Sequence, residues 1–436
     1  METISSYNLI IGASVIVVLS FWFNSISKKT NIPSVLMLIV LGVLINIGLS
    51  FFIADDINFA RLFGGSLEIL GTVGLIMIVL EAALELELKR EKAIPILKSM
   101  AIALIGLVGS AWVAALILYQ FIDGMTMQSA WLYATPLSIL SSAIIIPSVG
   151  GLVESKKEFH IYESTFSDIF GIMMFYFLTG GLNPESDGGI AGFSINLVLT
   201  IVIAVVASYA IILVFQRIKS QAKLFLLIAV LLLLYAIGKQ MHLSSLIIIL
   251  IFGLIIKNIK LFFPGKTKIF LEENSMRQMY HELHIITLET AFVVRTFFFV
   301  IFGITIVLSS LLSIKVTLIS ILIIASIYAI RWVILRVFIG KDMLPQLFIA
   351  PRGLITVLLF YAIPSQAEVE GFESGILLFV IIATSLIMTW AMIKDKRKIG
   401  TMLDEIDEEV LGRNEAEDVL LENSEDSQLD ESSLDH

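Results

Sequence analysis

The sequence contains no cysteine, which excludes disulfide bonds and metal sites built on thiolates. Charged residues are scarce as well, at 15% of 436 residues, whereas soluble globular proteins carry about 25%. Hydrophobic residues reach 58%, and apolar runs of about 20 residues, each long enough to cross a bilayer, recur along the chain. The composition therefore predicts an all-α polytopic membrane protein whose surroundings are the lipid bilayer, with no nucleic-acid partner.

Hydropathy divides the chain into thirteen candidate transmembrane helices. They lie near 7–24, 32–53, 65–87, 98–121, 130–149, 160–181, 191–216, 222–240, 243–262, 284–307, 314–339, 346–364 and 374–393. With the N-terminus outside, the inside loops hold 22 lysines and arginines, and the outside loops hold only Arg61, Lys239 and Lys315. By the positive-inside rule, this asymmetry predicts a multi-pass protein of the cell (cytoplasmic) membrane with a cytoplasmic C-terminus.

The formal net charge of −9 is concentrated at the C-terminal end of the chain. Residues 400–436 contain 14 acidic residues and one basic residue, so residues 1–399 carry a balance of +4. A strongly acidic segment that is poor in aromatic residues is typical of a solvated, disordered tail. We therefore expect a transmembrane domain over 1–399 and a disordered cytoplasmic tail over 400–436.

The fifth and twelfth spans differ from the others because helix-breaking residues interrupt them. The fifth contains Pro136 and Pro147, and the twelfth contains the segment Pro351-Arg352-Gly353. They lie seven spans apart and run in opposite directions. Two interrupted helices in matching halves indicate an inverted-repeat transporter, and broken backbone at membrane depth lines a site or a cavity. Helices 5 and 12 are therefore predicted to be broken.

Several spans place polar groups at one depth in the membrane. At 1.5 Å per residue, Glu81, Asp168 and Arg331 lie about 9–12 Å from the cytoplasmic ends of their spans. Ser141 and Ser142 of the fifth span lie near the same depth, at about 11 Å. Intramembrane ionisable groups are costly, so each is a candidate for function. The sequence thus predicts a polar layer shared by both halves of the chain.

Asp168 is the centre of this layer, in the stretch "ESTFSD". Ser164 precedes it by four residues and shares its helix face, so hydroxyl and carboxylate oxygens surround a position suited to a small cation. Burial favours the protonated form of a carboxylate, and a group that takes either a proton or a cation gives exchange. Glu163 needs a cationic partner, for which depth favours Arg331 and leaves Arg295 as the alternative.

Five segments, in order along the chain, resemble the monovalent cation:proton antiporters. They are "NIPSVLMLIVLGVLI", "LEAALELELKRE", "ESTFSD", "RTFFFVIFG" and "APRGLITV". The resemblance covers residues 7–393 and is strongest to the NhaP-type sodium/proton antiporters and the eukaryotic sodium/hydrogen exchangers. It implies a homodimer in which a core domain moves against a dimerisation domain. The core helices would lie near 98–181 and 314–393, the dimerisation helices near 7–87 and 222–307, and a linker helix at 191–216.

The resemblance also implies roles for single residues. Asp168 matches the family's ion-binding aspartate, and Ser164 matches its coordinating serine. Glu163 matches a glutamate that pairs with an arginine of the eleventh span, which favours Arg331, and Glu81 matches a glutamate near the ion. The implied Na⁺ ligands are therefore Asp168, Ser164 and Glu81.

Two departures from the family pattern bear on selectivity. Ser167 stands where relatives have asparagine or a second aspartate. Thr135 is followed directly by Pro136, without the aspartate that the family places between them. The position of the ion ligand in the fifth span therefore stays open among Thr135, Ser141 and Ser142, and Ser167 is a further candidate ligand.

These features predict a secondary transporter, not an enzyme, that exchanges Na⁺ or Li⁺ for H⁺ by alternating access and needs no cofactor. Because Ser167 replaces the second aspartate, a one-to-one electroneutral exchange is expected. The first alternative is a K⁺/H⁺ antiporter of the same fold, and a gated channel or sensor is the second.

Overall fold

The structure, a computed structural model, describes residues 6–30, 32–52, 59–180, 189–218, 223–241, 243–263, 272–305 and 313–395. The predicted tail over 400–436 lies outside these ranges, which contain no β-strand. The α-helices within them are α1 (Ser6–Thr30), α2 (Ser34–Phe52), α3 (Phe59–Glu85), α4 (Ala93–Phe121), α5 (Met127–Ser138), α6 (Ser142–Ser148), α7 (Glu154–Gly180), α8 (Gly189–Phe215), α9 (Lys223–Gln240), α10 (Ser245–Lys257), α11 (Ile259–Phe262), α12 (Glu273–Thr305), α13 (Ile314–Phe338), α14 (Leu354–Tyr361) and α15 (Gly375–Asp395).

Each of the thirteen predicted spans coincides with a helix or a broken helix of the described ranges. This confirms the predicted all-helical membrane fold. Within those ranges, eight helical stretches are long and apolar enough to cross a membrane. The apolar parts of α2 (Ser34–Gly48) and α10 (Ser245–Lys257) are shorter. The number of crossings and the inverted repeat stay predictions.

The chain divides after Met388 into two units. The larger unit, Met1–Met388, contains every site described below. The shorter unit, Thr389–His436, is described only over 389–395, where the last residues of α15 place the Lys394 ammonium 5.2 Å from the centre of the Trp390 ring.

Within the larger unit, the helices pack in two groups. In one group, α4 packs against α5, α7 and α13, and α14 packs against α5 and α7. In the other, α12 packs against α2 and α3, and α10 packs against α3, α8 and α9. The first group contains helices predicted for the core. The second contains helices predicted for dimerisation together with α8, which was predicted as the linker helix. Movement of one group against the other stays a prediction.

Glycines bring α2 and α12 into backbone contact. A Cβ atom on Gly42 would lie 2.2 Å from the carbonyl oxygen of Val300, and one on Gly303 would lie 2.3 Å from that of Ile39. Small residues allow such close approach where lipid supplies no hydrophobic drive for helices to associate. These glycines fix the pairing of two helices in the second group.

Both predicted helix breaks occur in the structure. The fifth span stops at Ser138 and resumes at Ser142, with extended backbone at Ile139 and Ser141. The twelfth span consists of a single 3₁₀ turn (Gln346–Phe348), a non-helical stretch over 349–353, and α14. Pro351, which has no N–H to donate, lies in the second break, whereas Pro136 and Pro147 lie inside α5 and α6 and the first break begins three residues after Pro136.

The two breaks cross in the membrane and satisfy each other's backbone groups. The N–H of Ser141 donates to the carbonyl oxygen of Pro351 at 3.0 Å. The buried Arg352 guanidinium donates to the carbonyl oxygens of Leu137 at 2.8 Å and Ala350 at 2.9 Å. No water is present in the hydrocarbon core to replace these partners, so the crossing depends on its internal hydrogen bonds.

Gly353 permits this crossing because it has no side chain. A Cβ atom there would lie 2.4 Å from Oγ of Ser141 and 3.0 Å from Cδ1 of Ile144. Ser141 belongs to the opposite break, so an added methyl group would push the two broken segments apart.

We expect Gly353→Ala to destabilise the protein by about 1–3 kcal/mol, because overpacking a tightly packed site forces displacement of its neighbours. Thermal unfolding of the purified protein in detergent measures the change. Gly106→Ala is the matched control, since its Cβ atom would meet only Cδ1 of Ile334 at an ordinary 3.8 Å. Equal stability of the two variants would contradict the proposed role of Gly353.

Candidate ion-binding site

Helix α7 carries an unusual concentration of buried polar side chains. Six of them are at most 1% exposed: His160, Glu163, Ser164, Thr165, Ser167 and Asp168. Buried polar groups are normally hydrogen-bonded, so the partners of each show what the helix is built to do.

The Asp168 carboxylate has no hydrogen bond of regular geometry with a described residue. The backbone N–H and hydroxyl of Ser142 nevertheless lie beside it. A charged carboxylate in such a place is costly unless it is paired or neutralised. The position therefore suits either a proton or a bound cation.

The two serines near Asp168 on α7 have different partners. The Ser164 hydroxyl donates to the carbonyl oxygen of His160 at 2.7 Å, which leaves lone pairs on its own oxygen available to a cation. The Ser167 hydroxyl oxygen accepts a hydrogen bond from the N–H of Leu140 at 3.0 Å. Ser167 thus reaches into the first break and supports its backbone.

The structure separates the three candidate hydroxyls of the fifth span. Ser142, the first residue of α6, lies beside the Asp168 carboxylate. The Thr135 hydroxyl donates to the carbonyl oxygen of Trp131 within α5 at 2.7 Å. Ser141 lies in the break and its side chain packs against Gly353. Of these three residues, Ser142 is therefore the one that lies beside Asp168.

Glu163 forms a buried two-point ion pair with Arg331 of α13. The distances are 2.7 Å from Nη1 to Oε1 and 2.8 Å from Nη2 to Oε2. Arg331 also donates to the carbonyl oxygen of Gln346, at 3.1 Å from Nε and 2.9 Å from Nη2. One guanidinium thus joins α7 and α13 to the start of the second broken helix.

Arg295 pairs with Glu81, and its assignment as the alternative partner of Glu163 is wrong. Its Nη2 lies 2.9 Å and 3.2 Å from the two carboxylate oxygens of Glu81. The depth of a residue in the membrane does not show which neighbouring helix its side chain faces. Arg295 lies on α12, and α12 packs against α3, which carries Glu81. Glu81 lies within electrostatic reach of Asp168, but its own charge is balanced by Arg295.

Two buried ionisable residues of this region, His160 and Arg352, have no role that the sequence pattern predicts. His160 is fully buried, with Nδ1 3.3 Å from Oε2 of Glu163; its position three residues before Glu163 was the available signal. Arg352 is 2% exposed, and it donates to a backbone carbonyl group at the end of α5 and to another in the second break. Its place inside the predicted break was the available signal.

A small cavity, lined mostly by apolar residues, adjoins the ion pair. Its volume is about 30 Å³, and its polar lining includes Glu163, Ser167, Arg331 and Arg352. A volume of this size holds one or two water molecules. Water can therefore be accommodated beside the Glu163–Arg331 pair, between that pair and the crossing of the broken helices.

The chain is similar to one protein family and to solved structures of one antiporter. The profile of the family described as "Sodium/hydrogen exchanger, transmembrane" matches residues 14–394. A structure of the sodium proton antiporter MjNhaP1 from Methanocaldococcus jannaschii at pH 8 superposes with a TM-score of 0.65 at 18% identity, covering 88% of this chain and 94% of that one. An electron-microscopy structure of the same antiporter gives 0.64 at 16% identity, covering 91% and 97%. No curated protein sequence matches the chain.

The structural matches establish the fold, and the profile extends over most of the chain. Members of the matched family are transporters, not enzymes, and they move Na⁺ and H⁺ without a cofactor. This multi-pass membrane protein therefore belongs to the sodium/hydrogen exchanger family of cation:proton antiporters.

Proposed function

We propose that the protein exchanges Na⁺ or Li⁺ for H⁺ by alternating access, with Asp168 as the shared site of cation and proton. The observation that carries this proposal is the buried Asp168 carboxylate without a regular hydrogen-bond partner among the described residues. Intramembrane charge is costly, so the carboxylate crosses the membrane neutralised. A proton and a cation compete for this carboxylate. Each turnover therefore carries one cation across the membrane in one direction and one proton in the other.

The proposed cation ligands are oxygens of Asp168, Ser164 and Ser142. The described residues contain no group of three or more histidine, aspartate or glutamate side chains that could hold a metal ion. Coordination therefore combines one carboxylate with hydroxyl and backbone oxygens. Hard oxygen ligands of low total charge suit a weakly held monovalent cation.

A one-to-one stoichiometry follows from the pairing of the other carboxylates in this layer. Glu81 is balanced by Arg295, and Glu163 by Arg331. Among the described residues of the layer, Asp168 is the carboxylate without a salt bridge to a basic residue. One exchanging carboxylate carries one charge each way, so the cycle is electroneutral.

The proposal extends to the assembly and placement of the protein. We place it in the cell membrane as a homodimer, with its N-terminus outside and its C-terminal tail in the cytoplasm. The support for the orientation is the charge asymmetry of the loops, and the support for the dimer is the family resemblance.

We expect Asp168→Asn to abolish Na⁺-dependent and Li⁺-dependent proton flux in proteoliposomes, because the amide can neither release a proton nor balance a cation. Asp123→Asn is the matched control, since the Asp123 side chain is fully exposed, and it should retain wild-type flux. Flux that persists in Asp168→Asn would exclude exchange at this carboxylate.

The same proteoliposomes test selectivity and stoichiometry. A wild-type rate that is independent of an imposed voltage supports electroneutral exchange. A rate driven by K⁺ in preference to Na⁺ and Li⁺ would replace the proposed substrate by K⁺.

We expect Glu163→Gln to destabilise the protein by about 3–5 kcal/mol, because it leaves the Arg331 charge buried and unpaired. The double variant Glu163→Met/Arg331→Met should be more stable than the single variant, since it removes both charges. Thermal unfolding in detergent measures both. Equal or lower stability of the double variant would show that the pair does more than hold α7 to α13.

The absence of native cysteine makes topology testable with single introduced cysteines. In intact cells, we expect a membrane-impermeant maleimide to label Lys239→Cys and not Glu154→Cys, because the positive-inside rule places residue 239 outside. Both positions should label after permeabilisation. The reverse pattern would invert the proposed orientation.

A further inference from the structure

We propose that Thr384 of α15 is a positioning residue for cation exchange, because its hydroxyl group fixes a peptide group in the second break. Thr384 is fully buried, and its Oγ1 accepts a hydrogen bond from the N–H of Arg352 at 3.1 Å. Its own hydroxyl hydrogen goes to the carbonyl oxygen of Val380 at 2.7 Å, within α15. The inference rests on the proposed exchange site at Asp168.

The peptide group that Thr384 holds is shared with the opposite break. The N–H of Arg352 and the carbonyl group of Pro351 belong to one planar peptide unit. Thr384 holds the N–H side of this unit, and the N–H of Ser141 holds its carbonyl side at 3.0 Å. The orientation of this single unit therefore sets where the first break lies.

Ser142, which directly follows Ser141 and begins α6, lies beside the carboxylate of Asp168. A rotation of the peptide unit between Pro351 and Arg352 displaces the amide of Ser141 and, with it, Ser142. Thr384 thus acts on the cation site through two peptide groups, without contact with the ion.

Thr384 has a counterpart in the other half of the chain. The Ser167 hydroxyl oxygen accepts from the N–H of Leu140 in the first break, and the Thr384 hydroxyl oxygen accepts from the N–H of Arg352 in the second. In each case the hydroxyl belongs to the long helix that follows the break, 27 and 32 residues beyond the donor. In both breaks, therefore, a backbone N–H donates to a buried hydroxyl oxygen of the following helix.

Thr200 of α8 provides a matched control for the loss of a threonine hydroxyl. It is fully buried, and its hydroxyl donates to the carbonyl oxygen four residues earlier, at Asn196, at the same 2.7 Å as in Thr384. Thr384 differs because it also accepts from a backbone N–H of another segment. A comparison of Thr384→Val with Thr200→Val therefore isolates the contact with Arg352.

We expect Thr384→Val to raise the apparent KM for the cation by about tenfold with little change in kcat, because a buried N–H loses its acceptor and the cation ligands move. Thr200→Val should keep the wild-type KM. Thr384→Ser, which keeps the hydroxyl, should restore KM to within about twofold of the wild type. A wild-type KM in Thr384→Val, or a serine variant as poor as valine, would overturn the inference.

Amide hydrogen exchange provides a second readout that does not depend on transport. In the wild type, the Arg352 amide should exchange slowly, and Thr384→Val should accelerate exchange in peptides covering 349–355 but not in those covering 196–204. Rapid exchange of this amide in the wild type would overturn the inference without any variant. If the wild-type protein transports no cation, the proposed function is refuted. The amide hydrogen exchange result at Arg352 would still stand.

Discussion

The crossing of two broken helices depends on one constraint: backbone polar groups in the hydrocarbon core must find partners inside the protein. The breaks meet this requirement with each other, through the hydrogen bond from Ser141 to Pro351, and with the Arg352 guanidinium. Gly353 allows the approach that these bonds need. Ser142, which lies beside Asp168, directly follows the first break, so its position depends on this arrangement.

The same crossing decides how buried charge is distributed. Arg352 lies near the carbonyl-rich C-terminal end of α5, where the helix dipole favours a cation. Glu163 and Arg331 balance one another at the edge of the crossing, and Arg295 balances Glu81 on the neighbouring helices. Arg331 and Arg295 therefore each have a carboxylate partner, whereas the Asp168 carboxylate has no salt bridge to a described basic residue. In the proposed exchange, this is the carboxylate that takes a proton or a cation.

Much of this architecture could be predicted because the thickness of the bilayer requires each span to be an apolar run of about 20 residues. The two helix breaks could be predicted because Pro136 and the Pro351-Arg352-Gly353 segment are unfavourable in a continuous helix. The sequence could not predict contacts that depend on which neighbouring helix a side chain faces. For this reason Arg295 remained an alternative partner of Glu163. Unwound backbone has no periodicity, so Thr135, Ser141 and Ser142 could not be ranked. Thr384 gave no signal because its partner lies 32 residues earlier, in a different segment.

Adjacent residues of α7 join the crossing to the ion site. Ser167 holds the first break through Leu140, and the next residue, Asp168, faces Ser142 at the start of α6. Successive residues on one rigid helix cannot move independently, so a displacement of the carboxylate carries the first break with it. The second break follows through its hydrogen bond with Ser141. Asp168 and the crossing are therefore linked through hydrogen bonds, and their helices meet the second group where α14 contacts α3 and α7 contacts α10. Under the proposed alternating access, this boundary is where access from either side of the membrane changes.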